Sequence, residues 1–338
     1  MPAQRRLQNR AWADYAYHRG ETVLRSVPEV FAIESTNYCN LKCVMCPRGE
    51  PDIMDRALGT MGDALFRRIV DETEYFTDPC WFHWFGEPLM HPGLFGQIEY
   101  AKSAGVPSLA ISTNATLLHR NNATAILDSK LDRIMIAFDG ARKETYEAVR
   151  KSSTFSFEQV RANVEEFLAL KAARRQRTPH VILSIIVMED TKAELREFGD
   201  YWKARGADEI LFKPFVTWAG QTTDFVHLAA SEERDLLQSH LRAHPCRFLW
   251  ESVVVAWDGR VVPCCFDYNA TMVMGNLNSQ SLGDIWNSEA YVRLRREELE
   301  GKNVQPLCRN CADAPGFARD PSFPRPDEDR PSDGLAGA

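Results

Sequence analysis

The stretch FAIESTNYCNLKCVMCPRG, residues 31–49, sets a β-branched and aromatic run, FAIEST (31–36), ahead of three cysteines, Cys39, Cys43 and Cys46. The run reads as a strand, and the Asn, Pro and Gly around the thiols read as a loop at its carboxyl end. Five further runs of the same kind follow, at CWFHWFG (80–86), SLAIST (108–113), RIMIAFD (133–139), HVILSIIVM (180–188) and EILFKPFV (209–216). Helical patterns separate them, at MGDALFRRIVDETEYF (61–76), HPGLFGQIEYAKSAG (91–105), TLLHRNNATAILDS (116–129) and TFSFEQVRANVEEFLALKAARR (154–175). Six strands alternating with helices predict an α/β protein with a parallel sheet or an incomplete (β/α) barrel. Such folds place their chemistry on loops after the strands, where the three thiols lie.

Residues 217–245 read as a connector containing one helix, and residues 246–311 have a different pattern. There VVVAWDGRVVPC (253–264) predicts a hairpin turning at Asp258-Gly259, and SLGDIWNSEAYVRLRREEL (281–299) predicts a helix. Residues 1–30 form an amino-terminal extension, and the Pro-, Gly- and charge-rich residues 312–338 predict a disordered tail. The sequence shows no internal repeat. At 338 residues, 44% hydrophobic and 26% charged, the chain can bury a sizeable core. Its formal charge of −7, from 40 basic and 47 acidic residues, argues against a nucleic-acid partner. The charged amino terminus excludes a secretory signal, and no run approaches the length of a membrane span. A cytoplasmic protein is expected. In that reducing setting nine cysteines favour metal or redox chemistry over disulfides.

Thiolates spaced as these three can converge on one inorganic centre. A tetrahedral zinc site asks for a fourth Cys or His nearby, and none follows within the loop. Three ligands on a four-iron cluster leave one iron open for a substrate or cofactor. Incidental cysteines or a structural zinc are the bland alternatives.

At these residues the sequence resembles the radical S-adenosylmethionine (SAM) superfamily, whose signature spaces three cysteines as Cys39, Cys43 and Cys46 are spaced. The resemblance implies a partial (β/α)6 TIM-type barrel over 31–216. It also implies a [4Fe-4S] cluster on those three cysteines, with SAM at the open iron. WFGEP, after the second strand, is similar to the family's Gly-Glu-Pro motif, so Gly86, Glu87 and Pro88 would approach the amino group of SAM. STNAT, after the third, looks like the ribose-contacting motif, with Ser112 and Asn114 as hydrogen-bonding residues. In IAFDG many relatives carry Ser where this chain has Ala137, while Asp139 matches. Arg150 matches an arginine of this branch and would meet the carboxylate of SAM. Taken singly, GEP also reads as a turn and STN as a helix cap. Cys80 reads as a small core residue, whereas His83 reads either as facing the barrel interior or as a satisfied structural histidine.

The carboxy-terminal region extends the resemblance. Cys246 is followed after twelve residues by Gly259, after four more by Cys264, and Cys308 and Cys311 close the set as a Cys-x-x-Cys pair. This resembles the auxiliary-cluster domain of the SPASM/Twitch branch. The implied truncated Twitch version is a small α+β domain over 246–311, with one auxiliary [4Fe-4S] cluster held by Cys246, Cys264, Cys308 and Cys311. A four-cysteine zinc ribbon is the alternative. A fully ligated cluster suits electron transfer.

Bound SAM would yield a 5′-deoxyadenosyl radical that abstracts hydrogen from a small polar substrate. The ligand spacings look like those of Twitch dehydrogenases, which implies oxidation of a secondary alcohol of an aminocyclitol or sugar to a ketone, with the auxiliary cluster as electron acceptor. An epimerase returning hydrogen from Cys265 is the alternative. Cys265 also reads as a residue packed behind the cluster. Asp139, Lys213 and Trp218 are strand-end candidates for substrate contact, and Cys265 and Asp139 are the candidate catalytic residues. A peptide maturase is a third reading, although only 38 residues precede Cys39, too few for a leader-binding module. A non-catalytic iron–sulfur or zinc protein is the fourth. The reductant implied is a flavodoxin or ferredoxin.

Overall fold

The computed structural model describes residues 2–50, 52–232, 245–302, 304–309 and 311. Its strands are β1 (Glu29–Ile33), β2 (Phe76–Trp81), β3 (Leu109–Thr113), β4 (Arg133–Ala137), β5 (His180–Ile186), β6 (Glu209–Lys213), β7 (Ser252–Val255), β8 (Arg260–Val262) and β9 (Gly275–Asn276). The longer helices are α1 (Pro2–Arg19), α2 (Asp63–Glu72), α3 (Leu94–Ser103), α4 (Arg120–Asp128), α5 (Lys143–Arg150), α6 (Phe157–Ala173) and α7 (Leu195–Ala204). They are followed by α8 (Phe248–Glu251), α9 (Leu282–Trp286), α10 (Glu289–Leu299) and α11 (Pro306–Arg309).

All nine strands join one sheet, in the order β6-β5-β4-β3-β2-β1-β7-β8-β9. The first six pair in parallel, as the alternation predicts. Their apolar runs are buried on both faces, as in a parallel sheet lined by helices: Ile111, Ile134, Ile136, Val181, Leu183 and Ile185 on one face are fully shielded, and Ala110, Met135, Ile182 and Ser184 on the other are buried too. Local signals agree with this packing. Helix α6 starts in a capping box, with the Ser156 hydroxyl on the Gln159 amide and the Gln159 side chain returned to Ser156.

Two expectations are corrected. The second strand runs 76–81 rather than 80–86. Pro79 masks its first half in the sequence, and past Phe82, whose amide still bonds Ala110 of β3, residues 83–86 leave the ladder to carry the chain back against residues 36–38. The helix expected over 281–299 is two helices, because Ser288 caps α10 at the amide of Tyr291 and Asn287 turns aside to bond both backbone groups of Leu24. The amino-terminal extension contains an 18-residue helix, α1. Its inner face is Ala13 and Ala16, too small to announce itself, and Tyr17 packs edge-on against Trp250 of α8 with ring centroids 5.5 Å apart.

The hairpin at Asp258-Gly259 forms as expected, from β7 and β8. Its placement is new: β7 lies parallel to β1, with Glu29 opposite Ser252 and Ile33 opposite Val255. The expected tail, 312–338, and most of the expected connector helix lie outside the described residues.

Candidate active site

The loop after β1 is tied down on every side. Asn37 bonds the carbonyl of Ala57 and the amide of Gly59, and the amide of Val44 bonds the carbonyl of Val149 at the end of α5. The amide of Cys46 reaches the carbonyl of Cys43 at 3.1 Å, so the last two thiols share one turn. Gly49 closes that turn, and a Cβ there would lie 2.4 Å from the Cys43 carbonyl oxygen.

The GEP segment is pressed onto the same loop. Gly86 has φ +90°, and a Cβ on it would meet the carbonyl oxygens of Thr36 and Tyr38 at 2.6 and 2.7 Å. The Glu87 amide donates to the Tyr38 carbonyl at 2.7 Å. The carboxylate of Glu87 is buried and accepts from the Thr113 hydroxyl, the Asn114 amide and the Leu89 amide. Burial raises its pKa above the usual range, and these donors oppose that rise. Glu87 thus locks the loops after β2 and β3 together, leaving the backbone of Gly86 and Pro88 at the site edge. Asn114 Nδ2 bonds the Asn40 side chain at 2.9 Å and lies 3.9 Å from Cys39 Sγ. Ser112, half-buried on β3, stands opposite Met135 of β4.

Asp139 is almost fully buried. Its Oδ1 accepts from the Ile186 amide at 2.7 Å, and its Oδ2 pairs with Arg150 at 3.2 Å. Arg150 donates to the Ala137 carbonyl and, at 3.3 Å, to Cys43 Sγ, while its buried Nε has no partner. Asp139 therefore orients Arg150 beside a cysteine of the signature.

On β2 and its extension, Trp81 and His83 alternate with Phe82, which packs on Phe66 of α2, so the two lie on the opposite, inward face. Their rings stand 6.0 Å apart, and both Trp81 Nε1 and His83 Nδ1 are shielded from water without a hydrogen-bond partner. Burial, reinforced by the charge of Lys213, pushes the His83 imidazole down to about 3, so it is neutral. No sequence motif marked Trp81; its place two residues before His83 was the available signal. Cys80 is a core residue, fully buried.

The second cysteine set borders the far side of the sheet. The Cys246 amide bonds Glu298 Oε1 at 2.8 Å, the Phe266 amide points to Cys264 Sγ at 3.4 Å, and the Cys311 amide bonds the Cys308 carbonyl. A hydrogen bond with Cys265 and burial push the Cys264 thiol well above its ordinary range. Cys265 is buried, and its carbonyl accepts from Trp84 Nε1 at 2.6 Å. Trp218, with φ +53°, donates to the carbonyl of Met45, between Cys43 and Cys46, and packs on Phe85 and Phe266. Aromatic rings thus span the two cysteine loops. Beside them the buried pair Glu34–Arg56 bridges both halves: Arg56 bonds the Tyr268 carbonyl at 2.6 Å and lies 4.6 Å from the Trp84 ring centre, and Glu34 accepts from the Trp257 amide.

The donor set fits iron–sulfur clusters. Burial pushes the Cys39 thiol up to about 11 and that of Cys46 to about 12, so a metal must supply the positive charge that makes them thiolates. Arg150 and Asn114 offer N–H groups toward the signature sulfurs. Among the described residues no three His, Cys, Asp or Glu side chains converge closely enough for a single metal ion. A four-iron cluster takes one thiolate per corner and calls for a wider arrangement.

A partial barrel with three thiols after its first strand, and a cysteine-bearing hairpin on that strand's other edge, defines a SAM- and iron–sulfur-dependent enzyme. Residues 33–201, half of the chain, match the radical SAM superfamily, and residues 246–312 match the SPASM iron–sulfur cluster-binding domain. The protein belongs to the radical SAM superfamily. Over 317 residues it is 25% identical to the tungsten-containing aldehyde ferredoxin oxidoreductase cofactor-modifying protein of Pyrococcus furiosus, covering 83% of this chain and 86% of that one. A shorter segment of 59 residues is 41% identical to an S-adenosyl-L-methionine-dependent 2-deoxy-scyllo-inosamine dehydrogenase of Niallia circulans, covering 17% of this chain and 24% of that one. Among solved structures, BtrN in complex with AdoMet and 2-DOIA superposes with a TM-score of 0.53 at 18% identity, covering 85% of this chain and 93% of BtrN. Streptococcus suis SuiB bound to precursor peptide SuiA superposes at 0.62 with 13% identity, covering 95% and 80%. These likenesses establish the fold. The chain is an enzyme that uses SAM and a [4Fe-4S] cluster, with auxiliary iron–sulfur binding in its SPASM domain. Among the described residues no helix is long and apolar enough to cross a membrane.

Proposed function

We propose that the enzyme oxidises a secondary alcohol of a small polyhydroxylated substrate, an aminocyclitol or sugar, to the ketone. The observation that carries this reading is the inward pair of Trp81 and His83, a buried donor and a neutral imidazole whose polar atoms lack partners. The short likeness to an aminocyclitol dehydrogenase supports it. When bound, SAM and its cluster supply a carbon-centred radical that removes a hydrogen atom from substrate carbon, and the auxiliary cluster supplies a one-electron sink. The hydroxyl on that carbon donates to His83 Nδ1 and accepts from Trp81 Nε1, which fixes the adjacent C–H bond. His83, held neutral with its pKa near 3, orients that hydroxyl but is too weak a base to keep its proton, which passes to solvent as the carbon's electron goes to the auxiliary cluster. Cys39, Cys43 and Cys46 hold the first cluster. The backbone around Gly86 and Pro88, with Ser112, Asn114 and Arg150, binds SAM. Cys246, Cys264, Cys308 and Cys311 hold a single auxiliary cluster, and a flavodoxin or ferredoxin supplies electrons.

The epimerase alternative needs a thiol facing the substrate, and Cys265 instead shares its hydrogen bond with Cys264. The test is anaerobic turnover of 2-deoxy-scyllo-inosamine with SAM in deuterated water. The expected product is a ketone formed together with 5′-deoxyadenosine. Deuterium on carbon in a product of unchanged oxidation level refutes the proposal in favour of epimerisation.

A further inference from the structure

Beside the second cysteine set, three buried polar atoms have no hydrogen-bond partner: Trp286 Nε1, Tyr291 Oη and Arg295 Nη2. Buried orphans are rare in native proteins, and three in contact with one another call for a common cause. They form one stack. The rings of Trp286 and Tyr291 stand 4.8 Å apart, and the Arg295 guanidinium lies 4.2 Å and 4.9 Å from their centres. Arg295 is completely buried and meets no carboxylate among the described residues. Its other nitrogens go to the carbonyls of Leu249 and Thr22. A fully buried, uncompensated cation is costly unless a negative group lies near.

The cysteines supply that neighbourhood. Leu249 closes the turn that begins at Cys246, through its amide on the Cys246 carbonyl at 3.1 Å. Glu298, on the same buried face of α10 one turn beyond Arg295, holds the Cys246 amide. The stack therefore stands beside the turn that carries Cys246.

We infer that Trp286, Tyr291 and Arg295 form a donor wall that hydrogen-bonds and counter-charges the auxiliary cluster, making it easier to reduce. A cluster on four thiolates is anionic and gains a further negative charge on accepting an electron. Donors to its sulfurs and a fixed cation favour the reduced state and raise its potential. The inference rests on the four-cysteine assignment and is independent of which substrate is oxidised.

The test uses the full chain carrying Cys39→Ala, Cys43→Ala and Cys46→Ala, so that only the auxiliary cluster is read, with iron content and redox titration followed by electron paramagnetic resonance. Arg295→Met is expected to lower the reduced-to-oxidised ratio at fixed poise about tenfold, a shift of about 59 mV for a one-electron couple. Arg295→Lys should recover part of it, and Tyr291→Phe should shift in the same direction by less. Tyr291→Phe removes an oxygen with no protein partner, so it keeps the test valid if Arg295→Met fails to fold. Full iron content with unchanged midpoints in Arg295→Met and Tyr291→Phe, or in Tyr291→Phe where Arg295→Met does not fold, overturns the inference alone. A background chain holding no iron overturns it together with the auxiliary-cluster assignment.

Discussion

Replacing Arg56 by Met should destabilise the enzyme through the charge it strands. Arg56 and Glu34 have side chains 1% and 0% exposed and meet in a two-pronged pair. The pair also holds the Tyr268 carbonyl and the amides of Phe85 and Trp257. Removing one partner of such a pair costs about 3–5 kcal/mol, because the other is left buried and uncompensated. For 338 residues, an unfolding entropy of about 2.1 cal/mol/K per residue gives about 0.7 kcal/mol/K, so the melting temperature should fall by about 4–7 °C. Calorimetry of the iron-loaded protein at fixed scan rate reads this directly. The double variant Glu34→Leu/Arg56→Met should recover much of the loss, since no charge is then stranded. A single variant melting within about 1 °C of the parent would show that water or relaxation reaches the pair, and would refute the reasoning.

Gly86→Ala should cost about 1–3 kcal/mol of backbone strain and push the signature loop away, so equilibrium dialysis should show SAM affinity reduced at least tenfold. Gly105→Ala, also at positive φ but facing open space, should leave SAM binding unchanged. The folded pKa of His83 lies below its unfolded value of 6.5, so stability is full above 6.5 and declines as pH falls toward about 3. At pH 5.5 this amounts to about 1.4 kcal/mol, and Asp- and Glu-matched melts of His83→Gln should lack that part of the acid decline. Cys264→Ala should lose the auxiliary iron while Cys265→Ala keeps it, by iron and sulfide analysis; equal loss in both would remove the distinction drawn between them.

The barrel was legible because its strands are short apolar runs at regular intervals and its motifs follow strand ends. Position along the chain did not reveal partners far apart in it. Asp139 matched a motif, yet only the fold shows that Arg150 occupies it. Glu87 matched as a SAM contact, yet its carboxylate binds the loop after β3. Trp286, Tyr291 and Arg295 read as one amphipathic helix, and the break at Asn287 depends on a bond to Leu24 that no local pattern encodes. The edge pairing of β7 with β1 was equally hidden, since a Val-rich run does not name its neighbour.

That pairing bears on how freely the carboxy-terminal module can be exchanged between enzymes of this kind. The signature loop leaves the end of β1, and the strand beside it leads through the hairpin to Cys264, so a shared ladder sets the separation of the two cysteine loops. Inserting one residue into β7 would slide the hairpin by about 3.3 Å and turn its buried side chains outward. A transplanted module would work only if its first strand kept the pairing of Glu29 with Ser252 and Ile33 with Val255. Grafts joined after β7, so that β1 and β7 come from the same parent, are the ones that preserve the geometry.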